Sequence, residues 1–138
     1  MAFKTPMGRV RGRGAARTGT QTFWHQRLTA LALVPLTLFF VAAMIALTGK
    51  SYAEAASFVG SPLVAVLLLA FLVIGFYHLK LGLTHVVEDY VHGELAKIGL
   101  IVLINLGTLL LGLACVYSVL RLGFGPAVSI DGAVGIPA

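Results

Sequence analysis

Residues 76–90 read FYHLKLGLTHVVEDY, and they close a long apolar segment of this 138-residue chain. The segment runs from about residue 62 to 91, which is long enough for a helix that crosses a hydrocarbon core of roughly 30 Å. A histidine, lysine or aspartate at the centre of such a helix costs roughly 2.5–3.5 kcal/mol. We therefore expect the ionisable residues of this stretch to have a partner or a function.

The composition indicates a membrane protein. Hydrophobic residues make up 59% of the chain and charged residues only 11%, whereas about a quarter of the residues of a soluble domain are charged. Further apolar segments at about residues 23–47 and 98–122 are also long enough to span a membrane. The sequence therefore predicts an all-α fold whose three transmembrane helices form one domain at residues 21–123, between a basic arm at 1–20 and a tail at 124–138.

Local signals give the expected helix ends. The first apolar run is longer than the roughly 7–15 apolar residues of a signal peptide, so we expect a retained helix, kinked at Pro35. Residues 48–60 are predicted to be a short polar link, and Gly93 is predicted to cap the second helix. The small residues of the third segment are expected to allow close helix contact; they are Gly107, Gly112 and Ala114.

The basic residues indicate an orientation. The formal net charge is +5, and six cations precede or open the first apolar segment: Lys4, Arg9, Arg11, Arg13, Arg17 and Arg27. Beside a membrane segment, such cations favour a cytoplasmic N-terminus over nucleic-acid binding. We expect a bacterial inner membrane rather than a mitochondrial one, because the arm has no serine and many glycines, unlike a typical transit peptide.

One face of the second predicted helix carries the candidate site. At about 100° per residue, His78 and Asp89 share a face, with His78 about 16 Å deeper in the membrane. Gly82, one turn beyond His78, leaves room for a flat macrocycle or a close helix. Imidazole is a common axial ligand of haem iron, although a hydrogen bond to a neighbouring helix would also satisfy His78. Because His25 and His92 are expected near the cytoplasmic end, a second haem ligand would come from a partner subunit.

Two other ionisable residues support a different class of protein. Lys80 lies about 200° from His78 around the helix, and His85 follows one residue after Thr84. Together with His78 they would suit a small membrane transport subunit with an intramembrane His/Lys relay. Their roles stay open at this point.

The spacing His78-x3-Gly82-x3-Val86-x2-Asp89-Tyr90 resembles the hydrophobic membrane anchor subunit of succinate dehydrogenase, complex II. The run FWHQRLTA at residues 23–30 is similar to the start of the first helix of that subunit. The resemblance covers roughly residues 19–122. It implies half of a heterodimeric anchor helix bundle, in which the other half is the cytochrome b556 subunit.

The resemblance also implies site residues and cofactors. His78 matches the ligand of the haem b iron, which is shared with the partner anchor, and Arg27 matches an arginine near the haem propionates. Asp89 and Tyr90 match an Asp-Tyr pair at the ubiquinone site. The other partners implied are the iron–sulfur subunit, the flavoprotein subunit and the lipid membrane, with no nucleic acid.

The implied function is that of an anchor in the succinate dehydrogenase of the tricarboxylic acid cycle. Electrons from succinate would pass through the iron–sulfur partner to ubiquinone, and this chain alone would catalyse nothing. A fumarate reductase anchor, which shares the architecture and reverses the electron flow with menaquinone, stays open as an alternative.

Overall fold

A computed structural model describes residues 18–125, and four helices make up nearly all of this part of the chain. They are α1 (Thr18–Leu47), α2 (Tyr52–Gly60), α3 (Pro62–Tyr90) and α4 (Glu94–Phe124). Helices α1, α3 and α4 are long and apolar enough to cross a membrane, and residues 18–125 contain no strand. The predicted all-α fold with three membrane spans is confirmed. The arm at residues 1–17 and the tail from residue 126 lie outside the described residues.

Helix α3 packs against both of the other long helices. On one side, Phe71 stacks on Phe40 of α1, with ring centroids 4.6 Å apart. On the other side, Phe76 packs against the backbone of α4 at Gly112, where a Cβ atom would lie 3.4 Å from the ring. Gly112 thus allows the close helix contact expected of it, whereas Gly107 has no neighbour within 4 Å.

The three long helices run antiparallel to their neighbours, so the bundle has two distinct ends. We call the end that holds the start of α1, the end of α3 and the start of α4 the Tyr90 end. The opposite end, where α1 leads into α2 and where α4 finishes, is the Gly60 end. The candidate site residues all lie in the half of the bundle nearer the Tyr90 end.

The connection from α3 to α4 differs from the prediction for Gly93. Val91 is the C-cap of α3, and Gly93, with φ −76°, is instead the N-cap of α4. Because this φ is available to any residue, the left-handed glycine cap expected here is wrong. The Lys97 ammonium donates to the carbonyl oxygen of Glu88 at 3.0 Å, so a cation satisfies the end of α3.

The link predicted at residues 48–60 contains a helix that the sequence analysis missed. Gly49 turns the chain after α1 with φ 76°, in the left-handed region that favours glycine. Helix α2 then begins with a capping box, in which the Glu54 N–H donates to Ser51 Oγ at 3.4 Å and the Ser51 N–H donates to the Glu54 carboxylate at 2.9 Å. This reciprocal pairing explains why a helix begins at this point of the link.

Two glycines bring α2 against the end of α4. A Cβ atom on Gly60 would lie 2.5 Å from the carbonyl oxygen of Gly123, and a Cβ atom on Gly123 would lie 3.0 Å from Gly60 Cα. Gly60 therefore requires a residue without a side chain, and a side chain at position 123 would require the facing backbone of α2 to shift. This contact, which we call the Gly60–Gly123 contact, fixes the short helix to the last membrane span.

Few side chains are buried within the described part of the chain. The apolar ones are small or medium in size: Ala43, Val59, Ala65, Leu68 and Val87. Most of the large apolar side chains of the long helices are exposed. A fold that leaves this much apolar surface uncovered needs lipid or partner helices around it.

We predict that Gly60→Ala and Gly123→Ala destabilise the bundle, because the added methyl group meets backbone atoms that cannot rotate away. Overpacking of this kind costs about 1–3 kcal/mol, and thermal unfolding in detergent followed by circular dichroism measures it. Gly107→Ala is the matched control, since it adds the same methyl group to α4 in open space. Equal unfolding temperatures in all three variants would contradict the role given to the Gly60–Gly123 contact.

A second prediction concerns Glu54, whose pKa is lowered below 4.5 by hydrogen bonds from the Ser51 backbone and side chain and from Lys50. A lowered folded-state pKa means that the carboxylate stabilises α2 above its ordinary pKa and that this contribution is lost as the pH falls through the folded-state value. The protection factors of the α2 amides, which are corrected for the intrinsic pH dependence of amide exchange, should therefore fall under acid conditions. Ser51→Ala removes the hydrogen bonds of the Ser51 hydroxyl but keeps the backbone N–H, so an NMR titration should show the Glu54 pKa moving part of the way back up; an unchanged pKa would contradict the contribution of the Ser51 side chain.

Candidate functional site

His78 faces α1 and contacts two polar side chains there. The Nδ1 atom of His78 lies 2.9 Å from Thr29 Oγ1, and the Nε2 atom lies 3.5 Å from the amide nitrogen of Gln26. Residues 26 and 29 are nearly one turn apart on α1, so they present their side chains on adjacent parts of one face. The structure thus brings together a histidine, a threonine and a glutamine between two membrane-spanning helices.

The other contacts of Thr29 favour one tautomer of His78. Thr29 Oγ1 lies 2.7 Å from the carbonyl oxygen of His25 and 3.1 Å from that of Gln26. Because carbonyl oxygens only accept, the single hydroxyl proton of Thr29 points to them. The hydroxyl oxygen then accepts the Nδ1 proton of His78. In this tautomer, Nε2 of His78 keeps its lone pair free for a donor or a metal ion.

Gln26 is only partly satisfied in this arrangement. Its amide nitrogen meets His78 Nε2 at 3.5 Å, which is the long limit of a hydrogen bond. Its Oε1 atom is buried and has no hydrogen-bond partner within residues 18–125, and such an oxygen costs about 1–3 kcal/mol. Gly82 adjoins the same amide, since a Cβ atom there would lie 3.7 Å from Gln26 Nε2. The His78 lone pair therefore has a weak, replaceable partner in an uncrowded place.

Arg27 follows directly on α1 and is exposed. Its guanidinium carbon lies 4.5 Å from the centroid of the Phe23 ring, four residues nearer the Tyr90 end. This cation–π contact holds the charge toward that end of the bundle. His25, which the sequence analysis put near the same end, forms a hydrogen bond of 2.9 Å with the Tyr77 hydroxyl. A second polar contact between α1 and α3 thus lies next to His78.

Asp89 and Tyr90 are the last two residues of α3, and both are exposed. Tyr90 has 78% of its surface accessible. The structure keeps these residues apart from His78, since the eleven residues from His78 to Asp89 correspond to about 16 Å along a helix. The exposed pair therefore lies at the Tyr90 end, where lipid headgroups or another subunit can reach it.

The remaining ionisable residues of α3 line a polar cleft of about 430 Å³ between the long helices. His85 Nδ1 lies 3.9 Å from the Glu88 carboxylate. Lys80 lies at the deep side of the cleft and also borders a groove of about 600 Å³ between α3 and α4. Beyond Lys80 that groove is lined largely by apolar side chains such as Leu72 and Val73. Polar lining therefore extends from the Tyr90 end only part of the way along the helices.

Sequence reasoning missed Gln26 and Thr29 as the partners of His78. Both lie in the first apolar segment at a helical spacing of three, which would have marked one polar stripe on that helix. What the sequence does not show is that this stripe lies level with His78, because the level depends on how α1 and α3 are offset. Within residues 18–125, no group of three or more metal-binding side chains occurs, so His78 is a single potential ligand.

The sequence matches the family of succinate dehydrogenase/fumarate reductase transmembrane subunits over residues 1–120. The chain belongs to this family. It is also 30% identical over 128 residues to the succinate dehydrogenase hydrophobic membrane anchor subunit of Paracoccus denitrificans, an alignment that covers 93% of this chain and 98% of the relative. No solved structure matches the chain significantly. The family expected from residues 23–30 and 78–90 is confirmed.

Proposed function

We propose that this chain is the hydrophobic membrane anchor subunit of a succinate dehydrogenase, and that it helps to bind haem b and ubiquinone. Membership of the transmembrane-subunit family and the similarity to the Paracoccus denitrificans anchor support the anchor role. The uncovered apolar surface of α1, α3 and α4 supports a bundle completed by a partner anchor, the cytochrome b556 subunit. The soluble partners are the iron–sulfur and flavoprotein subunits.

The observation that carries the haem proposal is the 2.9 Å contact between His78 Nδ1 and Thr29 Oγ1. In the tautomer that this contact favours, the Nε2 lone pair of His78 has the form that a haem iron binds. The orphaned Gln26 oxygen and the absence of a side chain at Gly82 fit a group that enters from this side. Arg27 is one residue from Gln26 and is proposed to pair with a haem propionate. When bound, the haem would supply a one-electron redox centre.

Asp89 and Tyr90 are proposed to form part of the ubiquinone site at the Tyr90 end. An exposed tyrosine at this level can keep its ring among apolar groups and donate its hydroxyl proton to a quinone carbonyl oxygen. Such a hydrogen bond stabilises the negative charge that develops on the oxygen during reduction. Asp89, the preceding residue, would help to orient that site. This location agrees with a cytoplasmic Tyr90 end, from which the iron–sulfur partner would deliver electrons.

Two other functions are less well supported. A fumarate reductase anchor belongs to the same family, but the curated relative is a succinate dehydrogenase subunit. For a transport subunit, the polar cleft would have to continue across the membrane, whereas the groove beyond Lys80 is lined largely by apolar side chains. The anchor function is therefore the one that these observations favour.

The haem proposal predicts a b-type absorption band in the reduced-minus-oxidised spectrum of the complex purified through a tag on this chain. His78→Ala should weaken or shift that band, because the iron loses a ligand. His85→Ala is the matched control, since this histidine lies in the polar cleft and away from α1's Thr29. A wild-type complex without haem would refute the proposal that this chain helps to bind haem. A band that His78→Ala leaves unchanged would refute the assignment of His78 as the iron ligand.

The quinone proposal predicts that Tyr90→Phe lowers ubiquinone reduction by succinate about 10-fold or more, since a hydrogen bond to a charged group contributes about 1.5–3 kcal/mol. Oxidation of succinate with a soluble artificial acceptor should stay at the wild-type rate. Tyr117→Phe, an exposed tyrosine of α4 toward the Gly60 end, is the matched control. Unchanged ubiquinone reduction in Tyr90→Phe would contradict the quinone role of Tyr90 and favour a purely structural anchor.

A further inference from the structure

We propose that Thr29 is a positioning residue for the haem ligand. In this proposal its hydroxyl accepts the Nδ1 proton of His78, selects which ring nitrogen faces the iron and sets how strongly that nitrogen binds. The inference rests on the proposed function, because it requires haem at His78. It starts from a contact of 2.9 Å between residues 49 positions apart on two helices.

The tautomer is the first quantity that Thr29 controls. A neutral imidazole carries one proton, and only the nitrogen without it can bind a metal ion. Thr29 cannot donate to Nδ1, because its own proton is directed to the carbonyl oxygens of His25 and Gln26. The ring therefore places its proton on Nδ1 and its lone pair on Nε2. Without the hydroxyl, this contact no longer favours either tautomer. The tautomer with its proton on Nε2 then competes with haem binding.

The strength of the iron bond is the second quantity. When the ring nitrogen that does not bind the metal donates its proton to an acceptor, the nitrogen that binds the metal becomes more basic. A more basic ligand stabilises ferric haem more than ferrous haem, so the Thr29 contact lowers the midpoint potential. Removing the acceptor reverses this effect and raises the potential.

Thr29 is suited to this role because its hydroxyl is held in place. Two backbone carbonyls fix the proton, and the branched Cβ restricts χ1 in a helix. The other contact of the ring, with Gln26, is long at 3.5 Å and involves the nitrogen that would bind iron. The ring orientation in the haem-bound protein therefore depends on Thr29 rather than on Gln26.

The test uses the complete complex purified from membranes, with Thr29→Val and Thr29→Ser as the two variants. Valine keeps the shape of threonine and removes the hydroxyl, whereas serine keeps the hydroxyl. Thr37→Val, two turns further along α1 and exposed, is the matched control. The readouts are haem per complex and the midpoint potential from a redox titration followed by absorption.

We expect Thr29→Val to weaken haem binding about 10- to 100-fold, as the loss of the hydrogen-bond partner of a metal-binding histidine typically does. The midpoint potential should rise, by 59 mV for each tenfold loss in the preference for ferric over ferrous haem. Thr29→Ser and Thr37→Val should resemble the wild type in both readouts.

The outcomes separate this inference from the proposed function. A wild-type complex without haem, or a haem band that His78→Ala leaves unchanged, overturns the proposed haem site and this inference with it, while the anchor and quinone proposals stand. Haem that depends on His78 but keeps its potential and affinity in Thr29→Val overturns the role of Thr29 alone. If Thr29→Val does not assemble, Thr29→Ala gives the same two readouts with less side-chain volume. Hyperfine spectroscopy of the wild-type ferric haem then tests the hydrogen-bonded Nδ1 proton directly, and its absence also overturns the role of Thr29.

Discussion

A polar side chain in the hydrocarbon has no water to bind, so each one on α3 needs a partner on a neighbouring helix or in another subunit. Thr84 solves this locally by donating to the Lys80 carbonyl oxygen at 2.8 Å. Tyr77 and His78 instead use side chains of α1. These contacts determine the level at which α1 and α3 meet, and everything proposed for the haem site depends on that level.

Where the described part of the chain leaves such a group unmatched, a further partner is expected. The buried side-chain oxygens without a hydrogen bond are Gln26 Oε1 and Asn105 Oδ1. The first lies beside the His78 ring, and the second borders both the polar cleft and the groove next to Lys80. The exposed apolar surface of the long helices likewise needs lipid or partner helices around it. The chain has the properties of one part of a larger membrane assembly.

The sequence predicted those features that depend on length and composition. Three spans follow from three apolar runs, and the end of α3 at Tyr90 lies one residue from the predicted end. Helix α2 was missed because Gly49, Lys50 and Glu54 indicated a polar link, whereas Ser51 and Glu54 form a capping box at the start of a short, largely apolar helix. Gly93 was misassigned because Lys97 supplies the contact at the end of α3 that a glycine cap would have made.

The sequence predicted the candidate site residues but not the side chains that contact them. The spacing of His78, Asp89 and Tyr90 along one helix is a property of the sequence. The pairing of His78 with Thr29 depends instead on the offset between two helices, which arises from packing contacts such as that of Phe40 with Phe71. A single sequence gives no measure of that offset.

The Gly60–Gly123 contact has a consequence for how the chain assembles during synthesis. Its two glycines are separated by the whole of α3 and α4, so α2 reaches its final place only after the last span has entered the membrane. Helices α1 and α3 can meet earlier, with the short helix still undocked on the far surface. Completion of the bundle therefore waits for the C-terminal span, and a chain interrupted before α4 would keep α3, which carries His78, but lack the contact that closes the Gly60 end.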